Sequence, residues 1–284
     1  MDIWRGKAWA TGDDSLPDTG LRRSSARSCL LLARLGGNMA AMAENPFETD
    51  PVLQRAAGYP YDITQTSFTF VDGEAAPFDP ALIKGRYPVI GYGSNQSPKR
   101  LRQKYGAKHL PIPVQRGRLA DHDVVYSAHF SSYGSLPAAL RHVEGTVVPV
   151  AVNWLDDEQL AAMHETEWDN YHYARLTGIS LKLAEGDVLD EAYAYLSFRG
   201  HVARDGEPIA LAAVVADNRR YSALNQIDAL TLMRDRLASG MALADFVHGH
   251  IADADLRAAR VRQLMDAAVD VQHAAHEVVY QGLE

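Results

Sequence analysis

The stretch Tyr87 to Gly106, YPVIGYGSNQSPKRLRQKYG, constrains the fold most, because it passes from strand chemistry to helix chemistry within a few residues. Tyr87-Pro88-Val89-Ile90 is an apolar, partly β-branched run of the length of a buried strand, and it stops at Gly91-Tyr92-Gly93-Ser94-Asn95. Ser97 then offers an N-cap oxygen, Pro98 stands where a first helical residue has no amide to lose, and Lys99 to Lys104 are good helix formers. The unit reads as strand, glycine loop, helix. Such a loop can present backbone N–H groups beside the positive end of a helix dipole, where a carboxylate, phosphate or polarised carbonyl is held. A tight βα turn, with glycines for positive φ, accounts for the same residues.

The chain has 284 residues, 47% hydrophobic and 23% charged, enough apolar material for one large core or two modest ones. A formal net charge of −8 argues against a general nucleic-acid or membrane-surface role. The basic face Lys99, Arg100, Arg102, Lys104 reads as a solvated helix surface. One cysteine, Cys29, excludes an intramolecular disulfide and a cysteine-rich zinc site, which suits the cytoplasm. The longest apolar run near the start, Cys29 to Ala33, is cut off by Arg34, far short of the roughly 18 residues that span a bilayer. A soluble protein is expected.

Residues 1–45 carry Arg22, Arg23 and Arg27 among serines and glycines and read as a disordered leader, with Met39 and Met42 as alternative starts and a short helix over Leu30 to Leu35 as the competing reading. From Pro46 on, β-forming segments recur at short intervals: Tyr61 to Phe70, Leu110 to Leu119, Val124 to Phe130, Ala138 to Val143, Thr146 to Trp154, Leu176 to Leu183 and Ala192 to Phe198. Many short strands with turns between them suggest a barrel or strongly curved sheet. Leu155 to Thr166 is helical in pattern, started by Asp156-Asp157-Glu158. The last third reads as helices over Ala210 to Ala216, Leu224 to Leu237 and Ala254 to Val279. The apolar stripe of the last helix is expected to pack on the barrel or, in a homodimer, on a second subunit.

Eleven histidines invite a metal reading, but His248-Gly249-His250 lacks the i, i+4 spacing that places two imidazoles on one helix face. His273 and His276 imply no third ligand. Gly91-Tyr92-Gly93 begins a dinucleotide fingerprint that Gln96 breaks, and Ser94 lacks the glycines of a nucleophile elbow. What remains is the loop together with Glu167, a carboxylate at a helix end followed by Trp168, Tyr171 and Tyr173. Aromatic surroundings desolvate a carboxyl and tune it for general acid/base work, whereas an ordinary surface glutamate fits the same spacing. Glu165 and Glu167, two positions apart, would stand about 200° from each other on a continuing helix, so only one is expected to face a pocket.

Tyr92-Gly93-Ser94-Asn95 after a strand, the valine-rich strand into helix Asp156 to Glu167, and Tyr173 after a short gap resemble the γ-glutamylcyclotransferase-like family, which includes γ-glutamylamine cyclotransferases, glutathione-degrading relatives and plant AIG2-like proteins. Tyr193 to Ser197 and Asn218 to Leu230 are similar to the family's final strand and its tyrosine-led helix. The resemblance implies an α+β fold: a small mixed β-barrel with flanking helices over 46–240, here with a C-terminal helical extension over 241–284. It implies an enzyme that uses no metal or organic cofactor and releases 5-oxoproline when the α-amine of a γ-glutamyl substrate attacks its own γ-carbonyl. Glu167 would be the acid/base, and Tyr92, Gly93, Ser94, Asn95, Tyr173 and Tyr221 would bind substrate. A non-catalytic binding or interaction protein on the same fold is the alternative. The chain departs from the family pattern at Gln96, at Trp168 and over 199–217, which bears on the leaving-group side. Deleting residues 1–45 is expected to leave the thermal midpoint unchanged, since such a segment cannot bury enough apolar surface to offset ordering costs of ~1–2 kcal/mol per residue. A large drop on deletion would show that it packs.

Overall fold

A computed structural model describes residues 45–106 and 111–282. The expected leader, with Cys29, Met39 and Met42, lies outside the described residues, apart from Asn45, as does Leu110 at the start of one expected strand.

Two short helices open the described chain, α1 (Pro46–Thr49) and α2 (Pro51–Ala57), each with proline in its first turn and a side-chain cap, Asn45 and Asp50. The hairpin β1 (Phe68–Val71) and β2 (Glu74–Pro77) follows, then β3 (Tyr87–Gly91) and α3 (Pro98–Tyr105), so the strand, loop and helix unit forms as its residues dictate. Next come β4 (Ile112–Tyr126), β5 (Ala138–Leu155), α4 (Asp157–His164), β6 (Tyr171–Leu183) and β7 (Val188–Ser197). In α4, Asp156 accepts from the Gln159 amide and Gln159 reaches back to the Asp156 amide, a complete capping box.

Five of these strands close on themselves. β4 pairs with β5, β5 with β3, β3 in parallel with β7, β7 with β6, and β6 returns to β4 through Gly117↔Leu183 to Leu119↔Leu181. Closure removes the sheet edges, and bulges supply the curvature it needs. One lies at Asp121, whose φ is 58° and whose carboxylate accepts from the Gly145 amide. For that reason the four segments expected between Leu110 and Trp154 form two long bent strands.

Beyond β7 lie the short strands β8 (Ala203–Arg204), β9 (Glu207–Pro208), β10 (Ala210–Leu211) and β11 (Ala223–Leu224), then α5 (Gln226–Leu237), α6 (Leu243–Ala252) and α7 (Ala254–Asp266). Ala210 to Ala216, expected as a helix, is instead strand and turn: β10 pairs with β4 and β11, and Arg219 holds the turn through Val214 O while forking onto the buried Asp123 carboxylate. The helix expected over Ala254 to Val279 ends at Asp266. Its remainder contains β12 (His276–Tyr280), which pairs with β6. Val278, Val279 and Tyr280 are β-formers, and β6 offers them hydrogen bonds that the helical spacing could not reveal.

One apolar cluster fills the barrel and continues under α2, α5 and α6 through Leu53, Leu230 and Phe246; a second joins α3 and α4 to the barrel wall through Leu101, Tyr105 and Met163. Among the described residues no helix is long and apolar enough to cross a membrane.

His129, His201 and His250 sit almost wholly inside. Desolvation pushes their pKa values down to about 3, 3 and 4, below the ordinary 6.5. The unfolded chain therefore binds protons between pH 6.5 and 4 that the folded chain refuses, and stability falls as pH drops through that window. Urea midpoints at pH 7 and pH 4.5 check this: the lower pH should unfold at clearly lower urea, and equal midpoints would contradict it.

Candidate functional site

The barrel mouth collects the C-terminal ends of β3, β4 and β7 and the starts of β5 and β6, so the segments 92–97, 127–137 and 165–170 meet there. They enclose a cleft of about 340 Å³. Of the sequence-derived candidates, Tyr92, Gly93, Ser94, Asn95 and Glu167 all line it.

The floor is the loop after β3. Tyr92 is buried and its hydroxyl donates to Tyr195 O. Ser94–Gln96 makes a 3₁₀ turn before α3. Ser97 precedes the helix as expected but gives no side-chain cap; its hydroxyl is buried without a protein partner. Gly93 does not need positive φ, since its φ is −116°. A Cβ there would overlap the Tyr59 hydroxyl and stand 3.0 Å from Ala138 Cβ. Glycine is required by close approach of neighbouring side chains.

The far wall is the segment after α4. From Thr166 to Tyr171 the backbone forms mixed i→i−3 and i→i−4 bonds, such as Glu167 N–H to His164 O at 3.0 Å and Tyr171 N–H to Glu167 O at 3.1 Å. This breaks the regular 100° step, so Glu165 as well as Glu167 lines the cleft, contrary to the expectation that Glu165 turns away from it. The two acids differ in environment. Glu165 is exposed. Glu167 is only 14% exposed, and its Oε1 accepts from Lys104 Nζ at 2.7 Å and Asn95 Nδ2 at 3.2 Å. Oε2 has no hydrogen-bond partner among the described residues.

Lys104 was the residue the sequence placed wrongly. It belongs to the inward face of α3 with Leu101 and Tyr105, its side chain is fully buried, and its Nζ also lies 2.7 Å from Met163 Sδ. Burial pushes its pKa down to about 8, against the pull of Glu167, which raises it. The i, i+3, i+4 spacing of Leu101, Lys104 and Tyr105 was the signal available. Tyr173 and Tyr221 are not in the cleft. Tyr173 stacks on Tyr193 at 5.1 Å, outside the mouth, and Tyr221 lies near Arg141. Their places are taken by Tyr59, Tyr171 and Tyr195, together with Arg55, Arg100, His129 and Tyr133. Desolvation pushes the Tyr59, Tyr92 and Tyr171 phenols up, so they act as neutral groups and not as bases.

The cleft is bipolar. Arg55 and Arg100, 4.7 and 5.9 Å from the Tyr133 ring centre, line it together with Glu165, Glu167 and Asp169. Such a site suits a small ligand bearing both an ammonium and a carboxylate. Among the described residues no three His, Cys, Asp or Glu side chains gather as metal ligands.

No family model matches the chain, and no curated protein does. Among solved structures, one described as gamma-glutamyl cyclotransferase is similar over 39% of this chain and 66% of that one, with 18% identity and a TM-score of 0.33. The barrel itself stands on the five strand pairings given above.

The close approach at Gly93 is testable. Gly93→Val must displace Tyr59 or Ala138 and is expected to cost about 1–3 kcal/mol, as overpacking does, while Ser94→Ala should be milder. Thermal unfolding of both variants measures this. Wild-type stability in Gly93→Val would mean that the Tyr59 contact is loose.

Proposed function

We propose that this chain is a γ-glutamylcyclotransferase-like enzyme that releases 5-oxoproline from a γ-glutamyl substrate. The observation that carries the reading is a carboxylate on the cleft wall with one oxygen fixed and the other free: Glu167 Oε1 is held by Lys104 and Asn95 while Oε2 has no partner among the described residues. A fixed carboxylate with an open lone pair is the geometry of a general base.

The reaction asks little else of the protein. The nucleophile is already tethered to its electrophile, so the cleft need only fold the substrate back on itself, remove a proton and steady the developing oxyanion. The acidic wall would draw in the α-ammonium, and Glu167 would take its proton through Oε2. The amine nitrogen then bonds to the γ-carbon and the carbonyl electrons move onto oxygen. On collapse the carbonyl re-forms, the bond to the leaving nitrogen breaks as Glu167 returns the proton to it, and the ring nitrogen's second proton passes through the same carboxylate to the released amine, which departs as an ammonium. The products are 5-oxoproline and a free amine or amino acid. Lys104 would hold the carboxylate in place through Oε1, and Arg55 and Arg100 would meet the carboxylates of the substrate.

Glu167→Gln keeps the shape and removes the proton acceptor. Turnover of a γ-glutamyl peptide should fall about 10²- to 10⁴-fold, the usual worth of a general acid/base, with the ligand still bound. Glu165→Gln, at an exposed and unanchored acid, should change the rate little. Initial rates of 5-oxoproline release from a γ-glutamyl panel check both. Equal rates in Glu167→Gln and wild type would sink the mechanism, and saturable binding with no release by the wild type would favour a binding module on the same fold.

A further inference from the structure

His129 lines the cleft from the segment that joins β4 to β5, and neither a base at Glu167 nor a floor at Tyr92–Asn95 accounts for it. Its ring is 2% exposed and packs edge-on against Tyr171 with centres 5.7 Å apart. Tyr171 in turn donates its backbone N–H to the Glu167 main-chain carbonyl, so the imidazole packs on a residue tied to the backbone that carries the carboxylate.

Behind the ring runs a short chain of hydroxyls. Ser127 Oγ lies 2.8 Å from His129 Nδ1 and 2.7 Å from Ser197 Oγ, and Ser197 Oγ accepts from the Arg199 amide at 3.2 Å. Ser127 and Ser197 are both completely buried, so the direction of their protons matters. If Ser197 donates to Ser127 and Ser127 donates to Nδ1, both hydroxyl protons have acceptors. If the chain runs the other way, the Ser197 proton has no acceptor among the described residues. The satisfied direction makes Nδ1 an acceptor and leaves the ring proton on Nε2. Nε2 has no partner among the described residues, nor is it one of the sealed, unpartnered polar atoms, so it is the edge His129 presents to the cleft.

We propose that His129 is a neutral hydrogen-bond donor to the ligand, locked in its Nε2–H tautomer by Ser197 and Ser127 and directed at the acyl oxygen that gains charge as the substrate closes. The last part rests on the cyclotransferase reading. Burial, with the Arg199 charge adding to it, keeps the imidazole pKa near 3, so the ring stays uncharged at neutral pH. It neither gives up nor takes a proton in the reaction. It steadies the oxyanion while Glu167 moves the proton.

The test pairs a spectrum with kinetics. In the full chain labelled with ¹⁵N-histidine, the resonance lost in His129→Gln identifies His129. It should show the Nε2–H tautomer at pH 7 and shift when 5-oxoproline is added. In turnover, His129→Phe, which keeps a ring and loses the donor, should lower kcat about 10²- to 10³-fold with little change in KM, and His129→Gln should recover part of it. Ser127→Ala, the milder change should His129→Phe fold poorly, should mix the tautomers and lower kcat less. An Nδ1–H tautomer, or a ring that does not respond to 5-oxoproline, would overturn the proposal. Absence of 5-oxoproline release by the wild type would instead sink the cyclotransferase reading, while the tautomer at pH 7 still decides whether Ser197 and Ser127 fix His129 as an Nε2–H donor.

Discussion

The site depends on one buried ion pair. A lysine ammonium taken wholly out of water must find a carboxylate, and Lys104 finds Glu167. This contact ties α3, which begins where the glycine loop ends, to the turn that follows α4. Two segments more than sixty residues apart are thereby held at one distance. Loss of either partner would leave a charge with no compensation in a place built for two. The pair also divides the carboxylate: Oε1 is held by Lys104 and Asn95, and Oε2 has no hydrogen-bond partner among the described residues.

The barrel makes that arrangement reproducible. In a closed sheet a strand cannot slide without breaking two ladders, so β3 and β7, the parallel pair, deliver their C-terminal ends to the same mouth in fixed register. β4 and β5 turn back at that mouth through the segment that carries His129 and Tyr133. Tyr171 begins β6 there, with Glu167 four residues before it. Neighbouring strands thus bring the loop after β3, Glu167 and His129 to one cleft without any of them being close in sequence.

Local chemistry was legible and long-range pairing was not. Val89-Ile90, the glycines and Pro98 specify strand, loop and helix over a few residues, and Asp156 with Gln159 specifies the start of α4, so these elements appeared where the sequence placed them. Glu167 was found because the resemblance singled it out. Lys104 was missed because a helix rich in lysine and arginine looks solvated unless one knows that a carboxylate waits on its inner side. Tyr173 and Tyr221 lie outside the cleft lining for a different reason: Tyr173 shares a face of β6 with Tyr171 but stands two residues further along the strand, and Tyr221 lies between β10 and β11, placements that only the sheet decides. The strand at His276–Tyr280 had a helical spacing of apolar residues, and nothing local records that β6 has hydrogen bonds to spare.

The polar interior of the mouth carries a further argument about what the fold sacrifices for the site. Asn95 Oδ1, Gln96 Nε2, Ser97 Oγ and Arg100 Nε are all buried without a protein partner, and all belong to the turn and first helical residues behind the loop. A sealed polar atom left unpaired costs about 1–3 kcal/mol, so four within six residues would be a heavy burden for an ordinary βα turn. The loop is held in its shape by the backbone bonds of its 3₁₀ turn and by what surrounds it, the Tyr59 hydroxyl above Gly93, the ion pair at Glu167 and the packing of Leu101, and not by these side-chain atoms. A turn selected only to connect a strand to a helix would have capped Ser97 and satisfied Asn95. That Ser97 Oγ and Asn95 Oδ1 have no partner among the described residues is what a plain turn on the same glycines does not call for.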